Sequence, residues 1–297
     1  MTMNDSVKPL AVLFQHEPET LGELRRLAAV KRKVPGILLV TGPVSQGKTT
    51  TITALQYEMD RTRLEIVSID NPTEHVVPFV RHIEFDRRDG ATWSRASGQL
   101  IGMDPDVCFL SEINDRDSAG LGFRVTECGY FCVATLHAGS AVGSLYRLIK
   151  LVDDGDRAGC IDVLAYNLVG VVNQRLAQRV CSRCASTVRA GDRMAPELLK
   201  RFGMAPADQI RIRQVGERCL SCAGTGSDGR VVTIDSFFAP VVASERHSFR
   251  RALAAGEVDD IASMQGVVGV RRVASVARLV REQVIDPDEG ARVMGWA

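Results

Sequence analysis

Between the apolar run Ile37-Leu38-Leu39-Val40 and a stretch with helical spacing lies Gly42-Pro43-Val44-Ser45-Gln46-Gly47-Lys48-Thr49, which satisfies the pattern G-x-x-x-x-G-K-[ST] at every fixed position. The order constrains the fold more than the glycines do. A buried strand that turns through glycines into a helix gathers backbone N–H groups and the positive end of the helix dipole around one point, and that point suits phosphate. The helix is legible in Ile52, Leu55 and Met59, apolar residues at steps of three and four. In this reading Gly42, Pro43, Val44, Ser45, Gln46, Gly47, Lys48, Thr49 and Thr50 form a nucleotide-binding set. Lys48 reaches the β and γ phosphates of ATP, and the Thr49 hydroxyl helps hold Mg2+.

Three more apolar runs, Ile66-Val67-Ser68-Ile69, Val107-Cys108-Phe109-Leu110 and Phe131-Cys132-Val133-Ala134, read as buried parallel strands separated by helical stretches. Alternation of this kind predicts an α/β fold with a doubly wound sheet, whose ligands sit at the carboxyl ends of the strands. From about Ala185 to Val215 the periodicity weakens, and Gly224 to Gly229 is rich in turn formers, which predicts a small loop-rich domain. Beyond Pro240, Phe249 to Ala255 and Val270 to Gln283 read as helices, and Asp286-Pro287-Asp288-Glu289 opens a last one. The predicted organisation is an N-terminal remnant or linker over 1–35, a nucleotide-binding core over 36–178, a cysteine-rich domain over 179–230 and a helical region over 231–297.

A chain of 297 residues, 45% hydrophobic and 25% charged, can form a core without disulfides. Its 37 basic residues nearly balance 36 acidic ones, so no global field attracts nucleic acid or an anionic membrane. The start, Met1-Thr2-Met3-Asn4-Asp5, lacks the charged-then-apolar pattern of a secretory signal. No stretch reaches the roughly 18 apolar residues of a membrane span, so the expected compartment is the cytoplasm. In that reducing setting Cys181/Cys184 and Cys219/Cys222, two C-x-x-C pairs with residues 185–218 between them, predict a tetrahedral Zn2+ held by four thiolates. The role is structural, and with so little apolar sequence nearby the metal is expected to supply the domain's folding energy. Cys108, Cys128, Cys132 and Cys160 lie in or beside apolar runs and read as small core residues.

Two segments bring carboxylates to strand ends: Asp70-Asn71-Pro72-Thr73-Glu74 after Ile69, and Glu112 just past Leu110. Phosphoryl transfer to water needs neutralised charge and a water held in line, so acids beside a phosphate loop have an evident use. Glu112 is the choice for orienting that water, with Asp70 and Glu74 as further catalytic acids. His137, in Thr135-Leu136-His137-Ala138, ends another strand of the series and is placed to sense the γ-phosphate.

Taken in order, these segments resemble the secretion ATPases of the type II secretion and type IV pilus assembly family. The similarity runs from about Leu21 onward and rests on Gly47-Lys48-Thr49-Thr50-Thr51, the acidic box Ile69 to Glu74, the Walker B segment Asp104 to Ile113, and the His box Thr135-Leu136-His137. Asn173-Gln174-Arg175-Leu176, followed by Cys181-Ser182-Arg183-Cys184 and Cys219-Leu220-Ser221-Cys222, resembles the tetracysteine insertion of assembly and secretion members. The resemblance implies an α/β, RecA-like P-loop NTPase core with a small tetracysteine zinc-binding insertion and a C-terminal helical region. It also implies ATP hydrolysis, a homohexameric ring, peripheral attachment at the inner membrane through a platform protein, and work on other pilus or secretion components. A family helix that carries arginines follows a G-x-T-F pattern, and Gly90-Ala91-Thr92-Trp93 followed by Arg95 makes Arg95 a catalytic candidate. The family's N-terminal domain, which supplies arginines to a neighbour's ATP, is not expected within these residues. Asp70-Asn71 stands where the family usually has Glu-Asp, and Asn114 where it usually has Arg. Those departures motivate a second reading, a nucleotide-binding ring subunit with little hydrolysis. A third, a DNA-transfer ATPase, draws on Arg183, Arg189, Arg211, Arg213 and Arg218 against the near-neutral net charge.

Overall fold

The computed structural model describes residues 7–30, 34–84, 93–216 and 219–296, the side chains of 93–95 excepted. The chain forms two compact units: one from the residues through Leu13, Pro18–Gln174 and Ser236–Gly269, the other from Phe14–Glu17, Arg175–Asp235 and Val270 onward.

The first unit opens with helices α1 (Leu10–Leu13) and α2 (Pro18–Ala28), then alternates strand and helix. Strand β1 (Gly36–Thr41) leads to α3 (Lys48–Glu58), β2 (Ile66–Asp70) to β3 (Arg81–Glu84) and α4 (Trp93–Met103), and β4 (Val107–Ile113) to α5 (Arg116–Glu127). Strand β5 (Phe131–Leu136), helices α6 (Ala141–Lys150) and α7 (Arg157–Asn167), β6 (Leu168–Val180) as far as Gln174, β9 (Ser227–Phe238) from Ser236, α9 (Ala243–Ala254) and β10 (Val268–Val270) as far as Gly269 complete the series. The sheet runs β10-β9-β6-β1-β5-β4-β2-β3. The pairings of β1 with β5 and β6, β4 with β5 and β2, and β2 with β3 are all parallel. Strands β1, β2 and β5 are buried along their whole length, which is why they read as unbroken apolar runs. Leu39, Ile69, Leu110, Ala134 and Phe123 share one core, and each large side chain there contributes about 1.5–3 kcal/mol.

Register decides where the chemistry gathers. Thr41 pairs with Leu136, Leu136 with Ile113, and Ile69 with Leu110, so the carboxyl ends of β1, β5, β4 and β2 form one edge. Glu112, His137, Asp70 and the loop after Thr41 all lie on it. Just beyond that edge α5 begins at Asp115, which caps it by accepting from Ser118 N–H while the Ser118 side chain answers the Asp115 backbone.

The second unit holds the antiparallel pair β7 (Ser186–Arg189) and β8 (Gln209–Ile212), with α8 (Pro196–Phe202), α10 (Arg272–Arg281) and α11 (Pro287–Met294). Phe202, Ile210, Leu279, Val280 and Val293 are buried together in its core. Helices α8 and α11 each carry Pro just inside the start and a left-handed Gly just past the end, Gly203 and Gly295. Residues 231–297, read from sequence as one helical region, divide here: α9 belongs to the first unit, α10 and α11 to the second. The latter two add their apolar surface to that of Met194, Leu199, Phe202 and Ile210, so this unit has a hydrophobic core besides any metal it holds. Of the four scattered cysteines, Cys108 and Cys132 are buried and Cys160 partly so, but Cys128 is exposed. It caps the C-terminus of α5, just before the turn at Gly129, and faces solvent rather than the core.

Candidate functional site

The loop Gly42–Gly47 turns as its glycines allow. Gly42 has φ 148°, Ser45 60° and Gly47 79°, all in the positive range that ordinary side chains avoid. At Gly42 the constraint is also steric, because a Cβ would lie 2.3 Å from the Gln174 carbonyl oxygen. Gly47 delivers the chain into α3, whose first turn carries Lys48, Thr49 and Thr50. The Thr49 side chain is exposed there, free to face a ligand.

Lys48 is buried, and its ammonium donates to Gly42 O at 3.1 Å and Pro43 O at 2.9 Å. Its third contact is His137 Nδ1 at 3.1 Å. On the far side of the ring, His137 Nε2 stands 2.6 Å from Glu112 Oε1. His137 Nδ1 also lies 3.2 Å from Gly42 O, so the ring meets the ammonium and the loop carbonyl on one side and the carboxylate on the other. His137 thus bridges the Lys48 ammonium and the Glu112 carboxylate. Burial pushes the Lys48 ammonium below its usual value, and the carboxylates of Glu112 and Glu74 oppose that fall. Glu74 is exposed, and its reach to Lys48 is electrostatic.

Asp70 reaches the same edge already engaged. Ser68 Oγ donates to its Oδ1 at 2.8 Å, and His82 Nδ1 donates to Oδ2 at 2.6 Å. The other ring nitrogen, Nε2, accepts from Val77 N–H at 3.1 Å, which fixes the tautomer. His82 lies on edge strand β3, opposite Ser68. Arg95 lies in α4, but its side chain falls outside the described residues, as do Gly90, Ala91, Thr92 and Arg218. Lys48, Glu112 and His137 are therefore brought into direct contact, while Asp70 is held by partners that sequence reasoning did not name. The overlooked residues are Ser68 and His82, together with Asn173 and Gln174 on β6. A buried amide pair inside an apolar strand is the signal that marks the last two.

In the second unit the sulfurs of Cys181, Cys184, Cys219 and Cys222 all lie within 4.8 Å of one another. The Cys181–Cys219 and Cys184–Cys222 separations are 3.9 and 3.6 Å. A tetrahedral ion with metal–sulfur bonds of about 2.3 Å sets its sulfurs about 3.8 Å apart, so the donor set fits Zn2+. Backbone N–H groups of Arg183 and Cys184 pull the Cys181 thiol down to about 6, as in a thiolate knuckle. Gly226, in the left-handed region at φ 70°, brings its N–H to 3.3 Å from Cys222 Sγ. Two of the arginines near this cluster turn inward. Arg211 donates to the carbonyls of Cys181 and Ser182, and Arg213 to Asp286.

Residues 14–265 match the family model described as "Type II/IV secretion system protein". The chain belongs to that family. It is 30% identical over 252 residues to the type IV pilus assembly ATPase PilB of Thermus thermophilus, covering 84% of this chain and 27% of that protein. It is 32% identical over 262 residues to type II secretion system protein E of Pseudomonas aeruginosa, covering 85% of this chain and 50% of that one. The chain thus spans half or less of these two relatives. Among solved structures, the pilus retraction motor PilT with bound ADP aligns at TM-score 0.67 and 18% identity, over 98% of this chain and 68% of that one. The ATPase DotB of Legionella pneumophila aligns at 0.67 and 12% identity, over 98% and 66%. Both likenesses establish the fold, a mixed α/β architecture with a mainly parallel sheet.

Proposed function

We propose that this chain is the ATP-hydrolysing motor core of a type II secretion or type IV pilus assembly machine. The observation that carries the reading is the contact chain Lys48–His137–Glu112 beside a phosphate loop, at one edge of a parallel sheet. In the resting arrangement Lys48 satisfies its charge with loop carbonyls. A triphosphate offers better partners, and Lys48 exchanges the carbonyls for phosphate oxygens. Glu112 commits one oxygen to His137, which leaves the other to accept from a water aimed at the γ-phosphate. His137 joins the two, so a change at Lys48 on nucleotide entry is transmitted to the water-holding carboxylate.

The exposed Thr49 hydroxyl is placed to help hold Mg2+, which when bound neutralises phosphate charge. The loop from Gly42 to Thr50 binds the phosphates, Asp70 and Glu74 add negative charge for the metal, and the four cysteines hold a structural Zn2+. Membership of the family extends the proposal to a hexameric ring, peripheral at the inner membrane and working on a platform protein and other pilus or secretion components. Among the described residues no helix is long and apolar enough to cross a membrane.

One observation favours a subunit that binds nucleotide with little hydrolysis: Asp70 has both oxygens engaged by Ser68 and His82. ATP turnover, recorded for the unaltered chain and Lys48→Ala, separates the readings. Turnover lost with Lys48 supports the motor, turnover that survives its removal defeats it, and tight ATP binding without turnover favours the second reading.

A further inference from the structure

Gln174 has no part in the chemistry assigned above, yet its side chain is completely buried on β6, directly beside the phosphate loop. Its Nε2 donates to Gln46 O at 2.6 Å, in the middle of the loop. Its Oε1 accepts from Thr51 Oγ1 at 2.9 Å, on the first turn of α3. One amide therefore ties the loop to the helix that follows it. The backbone carbonyl of the same residue closes on Gly42, where even a methyl group has no room. Its neighbour Asn173 donates to Thr41 Oγ1 at 2.9 Å and to Ala138 O at 3.0 Å, pinning the last residue of β1 to the segment after His137.

The consequence follows from peptide planarity. In a trans peptide the C=O and N–H point to opposite sides, so a Gln46 carbonyl turned toward Gln174 on β6 sends the Gly47 N–H the other way. Successive N–H groups aimed at one point are what make such a loop an anion cradle. We infer that Gln174 is a positioning residue of the nucleotide site: without touching the ligand, it fixes the 46–47 peptide so that Gly47 N–H is presented to a phosphate oxygen. This rests on the nucleotide-site reading proposed above. The chemistry is specific to an amide, which has both the donor that Gln46 O needs and the acceptor that Thr51 needs. A carboxylate at 174 sets oxygen against oxygen at Gln46, and a leucine removes the Gln174 donor.

The test measures the dissociation constant of Mg2+–ADP by titration calorimetry for the unaltered chain, Gln174→Leu and Gln174→Glu, with thermal unfolding of each in the absence of nucleotide. Both variants are expected to fold and to bind ADP about tenfold more weakly, the effect of losing one buried hydrogen bond. Gln174→Glu is expected to do no better than Gln174→Leu although it keeps the acceptor for Thr51. Folded variants with affinity within about twofold of the unaltered chain overturn the positioning role alone. Two variants that both fail to fold make Gln174 a packing residue and overturn it as well. An unaltered chain that binds no ADP overturns the nucleotide-site reading and the positioning role together.

Discussion

The phosphate loop and the tetracysteine cluster both hold polar groups in place for a ligand, but they draw on different resources. The loop is held by the protein itself: Gln174 on β6, Lys48 from α3 and His137 from the end of β5 reach it through hydrogen bonds between 2.6 and 3.2 Å. The cysteine cluster gathers four sulfurs within 4.8 Å, and only a cation makes four thiolates stable at that distance. One region is organised before its ligand arrives, and the other, in the proposed reading, would be completed by its ion. A nucleotide that must enter and leave calls for a site that keeps its shape when empty. A structural ion that stays can be part of the fold.

The largest effect expected is on turnover at the preorganised site. Glu112→Gln keeps size and removes charge, so ATP hydrolysis should fall roughly a hundredfold while ADP affinity holds. A loss of affinity equal to the loss of turnover would show that Glu112 shapes the pocket instead, which breaks the distinction between scaffold and chemistry. Next comes the proposed zinc region. Cys184→Ser should abolish stoichiometric zinc in elemental analysis and lower the unit's stability by about 3 kcal/mol, roughly 12–24 °C in its thermal midpoint. Retention of folded structure by α8, α10 and α11 after metal loss would sharpen the picture, since Phe202, Ile210 and Leu279 form a core of their own.

A smaller effect is expected at His82→Leu, which removes the ring that holds Asp70 Oδ2. Turnover should drop about tenfold with ADP affinity unchanged, and Asp70→Asn should make the His82 change silent. Additive losses in that double-mutant cycle would separate the two residues. The smallest effect is reserved for Asp115→Ala, three residues from Glu112. Loss of the α5 cap should cost about 1 kcal/mol in denaturant unfolding and leave turnover alone. An effect on turnover there would mean that the Glu112 strand end depends on the helix cap.

Much of the first unit was legible because buried parallel strands are apolar on both faces. Ile37–Val40, Ile66–Ile69, Val107–Leu110 and Phe131–Ala134 all fall within observed strands, and residues just past their ends are the ones that meet at the site. Edge strand β3 was not legible, since Arg81-His82-Ile83-Glu84 shows solvent on most positions and offers no apolar run. With it went the partner of Asp70. Strand β6 was missed because its apolar half, Leu168–Val172, gives way to Asn173-Gln174-Arg175, polar residues whose burial depends on contacts far away in sequence. The cysteine spacing announced its cluster, but the apolar core beside it joins Leu199, Phe202 and Ile210 to Leu279, Val280 and Val293, more than 50 residues downstream of Cys219 and out of reach of any local pattern.

The central claim is that Lys48, His137 and Glu112 serve one triphosphate. A structure of the chain with Mg2+ and a non-hydrolysable ATP analogue tests it most directly. The account predicts that Lys48 Nζ leaves the carbonyls of Gly42 and Pro43 for phosphate oxygens, with Glu112 and His137 lining the γ-phosphate end. A nucleotide bound elsewhere, or a Lys48 that keeps its carbonyl partners in the complex, would contradict it.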